Sequence, residues 1–429
     1  MKLKNIIMRC MFAGLVFFAG KSWAQDTLYI NIREAEDLFL KQNLGLIAEK
    51  LNIDIAEAAI MQAKLWHNPT FVVEDVNLWT TDAFRDEMAE IISPGSFAPN
   101  RQFAVGIEQV IVMGGKRRKL IEMEKVSRDI AAQYFEELLR SLKIELRNAC
   151  AEILFLQEYS KALEKQRTSL DALIGNYRSQ VEQGNVSRSE LLRLQASALE
   201  VRSEINDLQR EMNQQQKDLK VLLNISTPAH IVLTAIDMNI KSPSELSFGN
   251  LFELAETSRP DLKEAIFQKG YFERSLRYEK AQRTPDLAFR AIYDRAGGIG
   301  RNFTGFGLSM DLPFFDRNQG NIRVAQISVQ QSQTLVEQKQ LEVRNEIIHA
   351  MQNYTLAYDF NRQISNEFIS DLDEILESYI RNFVNRNIGI LEFLDFFEAW
   401  KENKYTILTA QKEVKISFEE LQYAVGTEL

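Results

Sequence analysis

The sequence predicts a mainly α-helical protein built from two repeats, each with two β-strands followed by a long helical hairpin. The segment 184–194 returns at 386–396 with three identical residues. These are Asn185, Glu190 and Leu192, matched by Asn387, Glu392 and Leu394. Upstream, Asn43-Leu44-Gly45-Leu46 pairs with Arg259-Pro260-Asp261-Leu262. The first pair of segments is 202 residues apart and the second is 216 residues apart. Because these matching segments, called anchors below, occur in the same order in both halves, they indicate a duplicated architecture.

Residues 1–24 have the features of a signal peptide. Basic residues precede a short apolar segment, and Ser22-Trp23-Ala24 offers a small-x-small cleavage site. No later segment approaches the roughly 20 consecutive apolar residues of a membrane-crossing helix. We therefore expect an exported chain that is either soluble or a membrane β-barrel. Acidic residues outnumber basic ones, 60 to 51, which argues against a nucleic-acid partner.

The anchors divide the chain into three parts after the signal peptide. The first repeat covers 26–225 and the second covers 257–429. Between them, the segment 226–256 shows less periodicity.

Each repeat contains a predicted helical hairpin, at 116–224 and at 320–425. The run from Lys116 to Glu182 has no proline, and only Gly175 interrupts it. The corresponding run from Gly320 to Arg386 has neither proline nor glycine inside it. Apolar residues recur at spacings of three and four, which is typical of a coiled-coil seam. At about 1.5 Å per residue, such helices would reach about 100 Å.

Strand-like segments precede each hairpin, at about 70–79 and 103–112 and at about 286–294 and 303–312. Apolar and small or charged residues alternate in the last three, with Ile292 as an exception. This alternation fits either a membrane barrel with a polar lumen or a soluble, half-buried sheet. The segment 70–79 alternates poorly, so its faces cannot be assigned. Two strand pairs cannot close a barrel and the helical seams cannot bury themselves, so several copies must associate.

The order strand-strand-long helix-turn-helix, occurring twice, resembles the TolC-type outer-membrane efflux channels. The junctions Ile111-Val112-Met113-Gly114-Gly115-Lys116-Arg117 and Leu312-Pro313-Phe314-Phe315-Asp316-Arg317-Asn318 are similar to the strand-to-helix junctions of that family. The Gly-Gly-Lys-Arg sequence, with Asn68-Pro69 before the first strand, resembles its cobalt-zinc-cadmium branch. The resemblance extends over nearly the whole chain after the signal peptide.

This resemblance implies a homotrimer in the outer membrane that extends into the periplasm. Its fold would be mainly α with a membrane β-barrel: a trimeric 12-stranded barrel continued by an α-helical periplasmic tube, with 226–256 as an equatorial segment. It would conduct metal cations or drugs passively for a tripartite efflux pump. Its partners would be a periplasmic adaptor (a membrane fusion protein), an inner-membrane transporter of the resistance-nodulation-division type, and outer-membrane lipid.

Two alternative functions stay open: the exit duct of a type I protein secretion system, and a non-channel periplasmic helical adaptor.

The hairpin turns carry the candidate site residues. Gly184, Asn185 and Val186, with Asn387, Ile388 and Gly389, are the predicted tips and would dock the adaptor. Glu392 and Asp395 share one helix face and resemble the family's acidic pair at the periplasmic gate. An ordinary solvated helix face is the alternative. Arg188, Glu190, Arg381 and Arg386 are candidate ion-pairing residues around this gate, and Arg193 lies nearby.

No pattern for catalysis, a cofactor or a metal site is found. His67, His230 and His349 are scattered, without the spacing of a metal site. Neither a Gly-x-Ser-x-Gly elbow nor a phosphate-binding glycine loop occurs in a fitting context, since Gly297-Gly298-Ile299-Gly300 is more typical of a turn. Cys150 is expected to be a small apolar filler. We therefore do not expect an enzyme.

Overall fold

The computed structural model describes residues 27–77, 102–234, 240–297 and 300–429. The predicted signal peptide and the turn residues 298–299 lie outside these ranges. None of the described helices combines the length and apolar character needed to cross a membrane.

The described part of the chain contains nine α-helices, six strands and a short 3₁₀ helix at Pro243–Glu245. The helices are α1 (Ile32–Gln42), α2 (Leu44–Lys64), α3 (Lys116–Glu182), α4 (Arg188–Leu222), α5 (Phe248–Ser258), α6 (Pro260–Gln282), α7 (Gln319–Gln363), α8 (Asn366–Val384) and α9 (Ile390–Val425). The strands are β1 (Thr27–Ile30), β2 (Thr70–Asn77), β3 (Gln102–Ile111), β4 (His230–Leu233), β5 (Leu287–Gly297) and β6 (Gly300–Met310).

The chain forms two compact units. Of the described residues, the first contains those within 27–44, 142–242 and 354–419, and the second contains those within 45–141, 243–353 and 420–429. In the first unit, β1 pairs in parallel with β4, which lies in the segment 226–256. Its core is an apolar cluster of the helical hairpins that includes Leu170, Phe383, Phe393 and Trp400.

The two long helical runs differ in continuity. Helix α3 is unbroken over 67 residues, and its seam residues Leu146, Ile153 and Leu156 are buried. The prediction of an equally continuous helix from 320 to 386 is wrong, because α7 ends at Gln363 and α8 begins at Asn366. The Ser365 side chain accepts a hydrogen bond from the Phe368 amide at 3.0 Å and so caps α8. A side-chain cap starts a new helix without any helix-breaking residue.

The second unit contains an antiparallel sheet in the order β2-β3-β5-β6. One row of paired residues crosses all four strands and comprises Phe71, Ile107, Ala291 and Phe306. The side chains of directly paired residues point to the same side, so these four share one face of the sheet. Most side chains on this face are large and apolar, and Phe306 is 75% exposed. The opposite face carries charged residues and small ones such as Gly305.

Two irregularities of the predicted strands have structural causes. The register of β2 shifts between Glu74 and Asn77, and Asp75 adopts a φ of 51°. This bulge explains the poor alternation over 70–77, because an extra residue reverses the facing of the residues after it. Residues 78 and 79 of the predicted strand lie outside the described ranges. Ile292 lies on the charged face opposite Gly106 and Gly305, whose missing side chains leave room for it.

Equivalent contacts occur in the two repeats. In the first unit, the Asn43 amide donates to the Leu222 carbonyl at 2.9 Å. In the second unit, the Arg259 guanidinium donates to the Ala424 carbonyl at 2.8 Å and also binds Asp261 and Glu346. Asn43 and Arg259 are 216 positions apart, and Leu222 and Ala424 are 202 positions apart, which are the two offsets between the repeats. Asn43 and Arg259 therefore bind equivalent carbonyls in their repeats, one through an amide and the other through a guanidinium.

Candidate functional site at the hairpin turns

The first hairpin turn joins α3 to α4 and is centred on Gly184. This glycine has a φ of 74°, in the left-handed region that glycine adopts without steric cost. The Gly184 amide donates to the Val181 carbonyl at 3.0 Å, and the Asn185 amide donates to the Gln180 carbonyl at 2.9 Å. These bonds close the end of α3, as left-handed caps do. Ser187 then caps α4 by accepting from the Glu190 amide.

The second turn, between α8 and α9, repeats this geometry with another residue at its centre. Arg386 takes the place of Gly184 with a φ of 60°. The Arg386 amide donates to the Phe383 carbonyl at 3.1 Å, and the Asn387 amide donates to the Asn382 carbonyl at 2.8 Å. Gly389 takes the place of Ser187, so its carbonyl, which accepts from the Phe393 amide at 3.0 Å, starts α9 without a side-chain cap.

The six predicted tip residues divide into two groups. Gly184, Asn185, Asn387 and Gly389 are exposed. Val186 and Ile388 are half-buried and pack against the apolar core of the hairpins. Each lies immediately before the cap residue of the following helix, the position from which an apolar side chain fixes the entry of the chain into a helix. Val186 and Ile388 therefore fix the two turns to the apolar core of the hairpins.

A column of aromatic rings lies beneath the turns. Tyr177 stacks on Phe383 at 5.1 Å between ring centroids, Phe383 stacks on Phe393 at 4.3 Å, and Phe393 meets Phe397 at 5.3 Å. Burial raises the pKa of Tyr177, with a further contribution from the charge of Glu190. The rings hold α3, α8 and α9 together directly under both turns.

The two turns border a groove with a volume of about 300 Å³. Its lining comprises Leu173, Gly175, Asn176, Tyr177, Ser179, Gln180, Val186, Val384 and Arg386. Arg386 donates to the Gln180 side chain at 2.9 Å and so connects the two turns. Sequence reasoning missed this groove, although the lone Gly175 inside α3 was a signal. No atom lies within 4 Å of where a Gly175 side chain would begin, so packing within the described chain does not require glycine there.

The predicted gate residues lie at the start of α9. Glu392 and Asp395 are both exposed, whereas Phe393 and Phe397 of the same helix face the core. Both carboxylates therefore point away from the packed side of the hairpin. Glu392 lies in the first turn of the helix, where a negative charge is favourable.

The predicted ion-pairing residues form no ion pairs with one another among the described residues. Arg188, Arg193, Arg381 and Arg386 are exposed, and Arg386 binds the neutral Gln180. The Glu190 carboxylate accepts from the Ser187 hydroxyl at 3.2 Å. Pairing of these arginines with acids on neighbouring hairpins of other chains therefore stays a prediction.

The described residues contain no group of three His, Cys, Asp or Glu side chains that could hold a metal ion. The surface at the turns instead has exposed glycines, Gly184 and Gly389, a groove between the turns, and exposed charged side chains. Such a surface can bind another protein or attract cations.

The sequence model for outer membrane efflux proteins matches residues 37–224 and 251–427. The cobalt-zinc-cadmium resistance protein CzcC of Cupriavidus metallidurans is 22% identical over 308 residues, or 68% of this chain and 65% of that protein. The chain thus matches just under two thirds of that relative's length.

Solved structures have a similar fold. A structure of CusC superposes with a TM-score of 0.73 at 18% identity and covers 95% of this chain and 96% of its own. The CmeC outer membrane channel of Campylobacter jejuni gives a TM-score of 0.73 at 15% identity, with 92% and 85% covered. At these identities the similarity concerns the fold.

Proposed function

Because the chain belongs to the outer membrane efflux protein family, we propose that it is the outer-membrane channel of a tripartite efflux pump. It conducts small substrates passively from the pump to the exterior. In this role the chain makes no covalent change to its substrate, and the energy comes from an inner-membrane transporter.

The two-faced sheet is the observation that carries this proposal. Phe71, Ile107, Phe306 and Leu308 are highly exposed on one face, while the other carries charged side chains. A large exposed apolar face is unfavourable in water and favourable against lipid. Exposed Phe314 and Phe315 come after the last strand, where aromatic side chains are typical of the membrane boundary. A periplasmic adaptor without a membrane part would not need such a surface.

The sheet also supports a trimer. Its outer strands β2 and β6 each have one unpaired edge within the described chain. Joining these edges between copies would satisfy the free backbone groups, and three copies would supply twelve strands. Exposed apolar residues along α7, among them Val324, Ile327 and Leu335, would then pack against neighbouring chains.

We assign the turns to adaptor docking and the Glu392–Asp395 pair to the gate. The exposed backbone at Gly184 and Gly389 would let a partner approach closely. The groove beside Gly175 is wide enough to receive side chains of the adaptor. Three copies of the acidic pair would place six carboxylates around one opening and favour cations.

Divalent metal cations are our preferred substrates. This preference rests on the similarity to CzcC, whose name states resistance to cobalt, zinc and cadmium. The acidic pair at the proposed gate agrees with it. The corresponding transporter would belong to the resistance-nodulation-division type.

Planar-bilayer recording of the purified protein tests the proposal. We expect discrete conductance steps from a trimer of defined size in detergent. A well-folded monomer without conductance would overturn the channel assignment. Deleting the gene and challenging the strain with divalent metals, dyes and antibiotics then tests the substrate: sensitivity to cobalt, zinc and cadmium supports metal export, whereas sensitivity confined to drugs contradicts it.

A further inference from the structure

The charged face of the four-stranded sheet carries an ion pair that spans three strands. Arg290 of β5 donates to the Glu74 carboxylate of β2 with 2.5 Å between Nη2 and Oε2. Its side chain crosses β3 at Gly106, where an added Cβ would lie 3.6 Å from Arg290 Nε and 3.3 Å from the Ala291 carbonyl oxygen. Gly106 thus leaves the space through which Arg290 reaches Glu74.

Two more carboxylates lie on the same face. Glu108 is the register partner of Arg290, and Asp294 is the register partner of Ala104, which in turn pairs with Glu74. Glu74 of β2, Glu108 of β3 and Asp294 of β5 therefore share this face with Arg290. Without its positive charge, these carboxylates would form a surface that attracts and retains divalent cations.

We propose that Arg290 determines ion selectivity in the strand-formed part of the conduit, by neutralising Glu74 so that cations pass without being held. This proposal rests on the proposed channel function, under which the charged face lines the pore. Conduction requires that ions bind strongly enough to enter and weakly enough to leave. In the trimer, three copies of the Glu74–Arg290 pair would limit the negative potential at one level of the pore, distant in sequence from Glu392 and Asp395.

The test is reversal potential and cobalt block in planar bilayers. Arg290→Gln should raise the potassium-to-chloride permeability ratio by about two- to threefold, since a unit charge several ångströms from the ion path changes local ion concentration by this order in water. It should also lower the CoCl₂ concentration that gives half-maximal block. Arg295→Gln is the matched control, because it removes the same charge from the other face of β5.

Two further variants keep the test decisive. Glu74→Gln leaves Arg290 unneutralised and should shift the permeability ratio in the opposite direction, even if Arg290→Gln does not assemble. The double variant Glu74→Gln with Arg290→Gln removes both charges and should return the ratio towards that of the parent.

The outcomes separate this inference from the channel assignment. If the parent protein forms no conducting trimer, the proposed function fails. If the parent conducts but Arg290→Gln and Glu74→Gln both behave like Arg295→Gln, the channel stands and the role of Arg290 is wrong.

Discussion

Arg386 occupies in the second hairpin turn the position that Gly184 occupies in the first, and both have positive φ, 60° and 74°. The left-handed conformation costs a residue with a side chain about 1–2 kcal/mol, and glycine avoids this cost. The backbone of Arg386 in the second turn is therefore strained. Its side chain donates to Gln180 at 2.9 Å, so the strained residue is also the one that connects the two turns.

Substitutions at these two positions should have unequal effects. Gly184→Ala should destabilise the protein by about 1 kcal/mol, because it introduces the left-handed penalty. Arg386→Gly should remove that penalty but also lose the exposed hydrogen bond to Gln180, which is worth about 1 kcal/mol. The two effects should offset each other, so we expect little net change in stability. The measurement is the midpoint of thermal unfolding followed by circular dichroism. An Arg386→Gly variant as unstable as Gly184→Ala would show that the strain assignment is wrong.

Gly389→Trp offers the clearest test of adaptor docking. No atom lies within 4 Å of a Cβ at Gly389, so the fold has room for a side chain there, whereas Gly184 would be strained by any. We expect Gly389→Trp to abolish the proposed metal resistance in complemented cells, while the yield of the proposed trimer and its proposed membrane insertion stay unchanged. Gly249→Trp is a matched control, since Gly249 in α5 has equally open surroundings. Normal resistance with Gly389→Trp would exclude this turn from the docking surface.

The gate assignment predicts a change in ion selectivity. Glu392→Gln combined with Asp395→Asn should lower cation selectivity and weaken block by multivalent cations, because both side chains are exposed on one face of α9. The effect should shrink at high salt, where screening reduces the influence of fixed charges. The combination Glu374→Gln with Glu402→Gln removes two other exposed carboxylates and serves as the control. Equal behaviour of the two double variants would mean that Glu392 and Asp395 are only a solvated helix face.

Cys150 should be unreactive in the folded protein. It is fully buried, and burial raises the pKa of its thiol to about 12. At pH 8 a far smaller fraction of such thiols is ionised than the roughly one quarter of a free cysteine. In protein without residues 1–24, which contain Cys10, a maleimide reagent should therefore label Cys150 only after unfolding, whereas Ser189→Cys, at an exposed position, should be labelled at once. Rapid labelling of native Cys150 would contradict its burial.

Sequence periodicity was sufficient to place the long helices and the seams they bury, because a continuous apolar stripe without proline specifies α3 from Lys116 to Glu182. It failed at residue 365, where no proline or glycine marks the break. A weaker signal was present: Ile364 and Ile369 flank the Ser365 cap, and both pack against the hairpin core. Such caps cannot be separated from ordinary surface serines until the packing of their neighbours is known.

The candidate site was predictable where it depends on local chain geometry. Gly184-Asn185 and Asn387 identify the turns, but the groove between them requires α3 and α8 to lie side by side, which periodicity within each helix does not specify. The bulge at Asp75 was also hidden, because its extra residue removed the alternation that identifies a strand. The Glu74–Arg290 pair joins residues 216 positions apart and can be inferred only from the strand register.

The strand order also determines when the protein can fold. β1 pairs with β4, and Phe103 of β3 pairs with Arg295 of β5, so each sheet joins segments that are far apart in the chain. Closing such long loops costs entropy before any pairing is gained, which slows folding. The helices can form as soon as their own residues are available, but the four-stranded sheet cannot be completed until β6 has emerged. During that interval β2 and β3 expose apolar side chains and unpaired edges that invite aggregation. The nascent chain would therefore need protection by a chaperone until its last strand arrives.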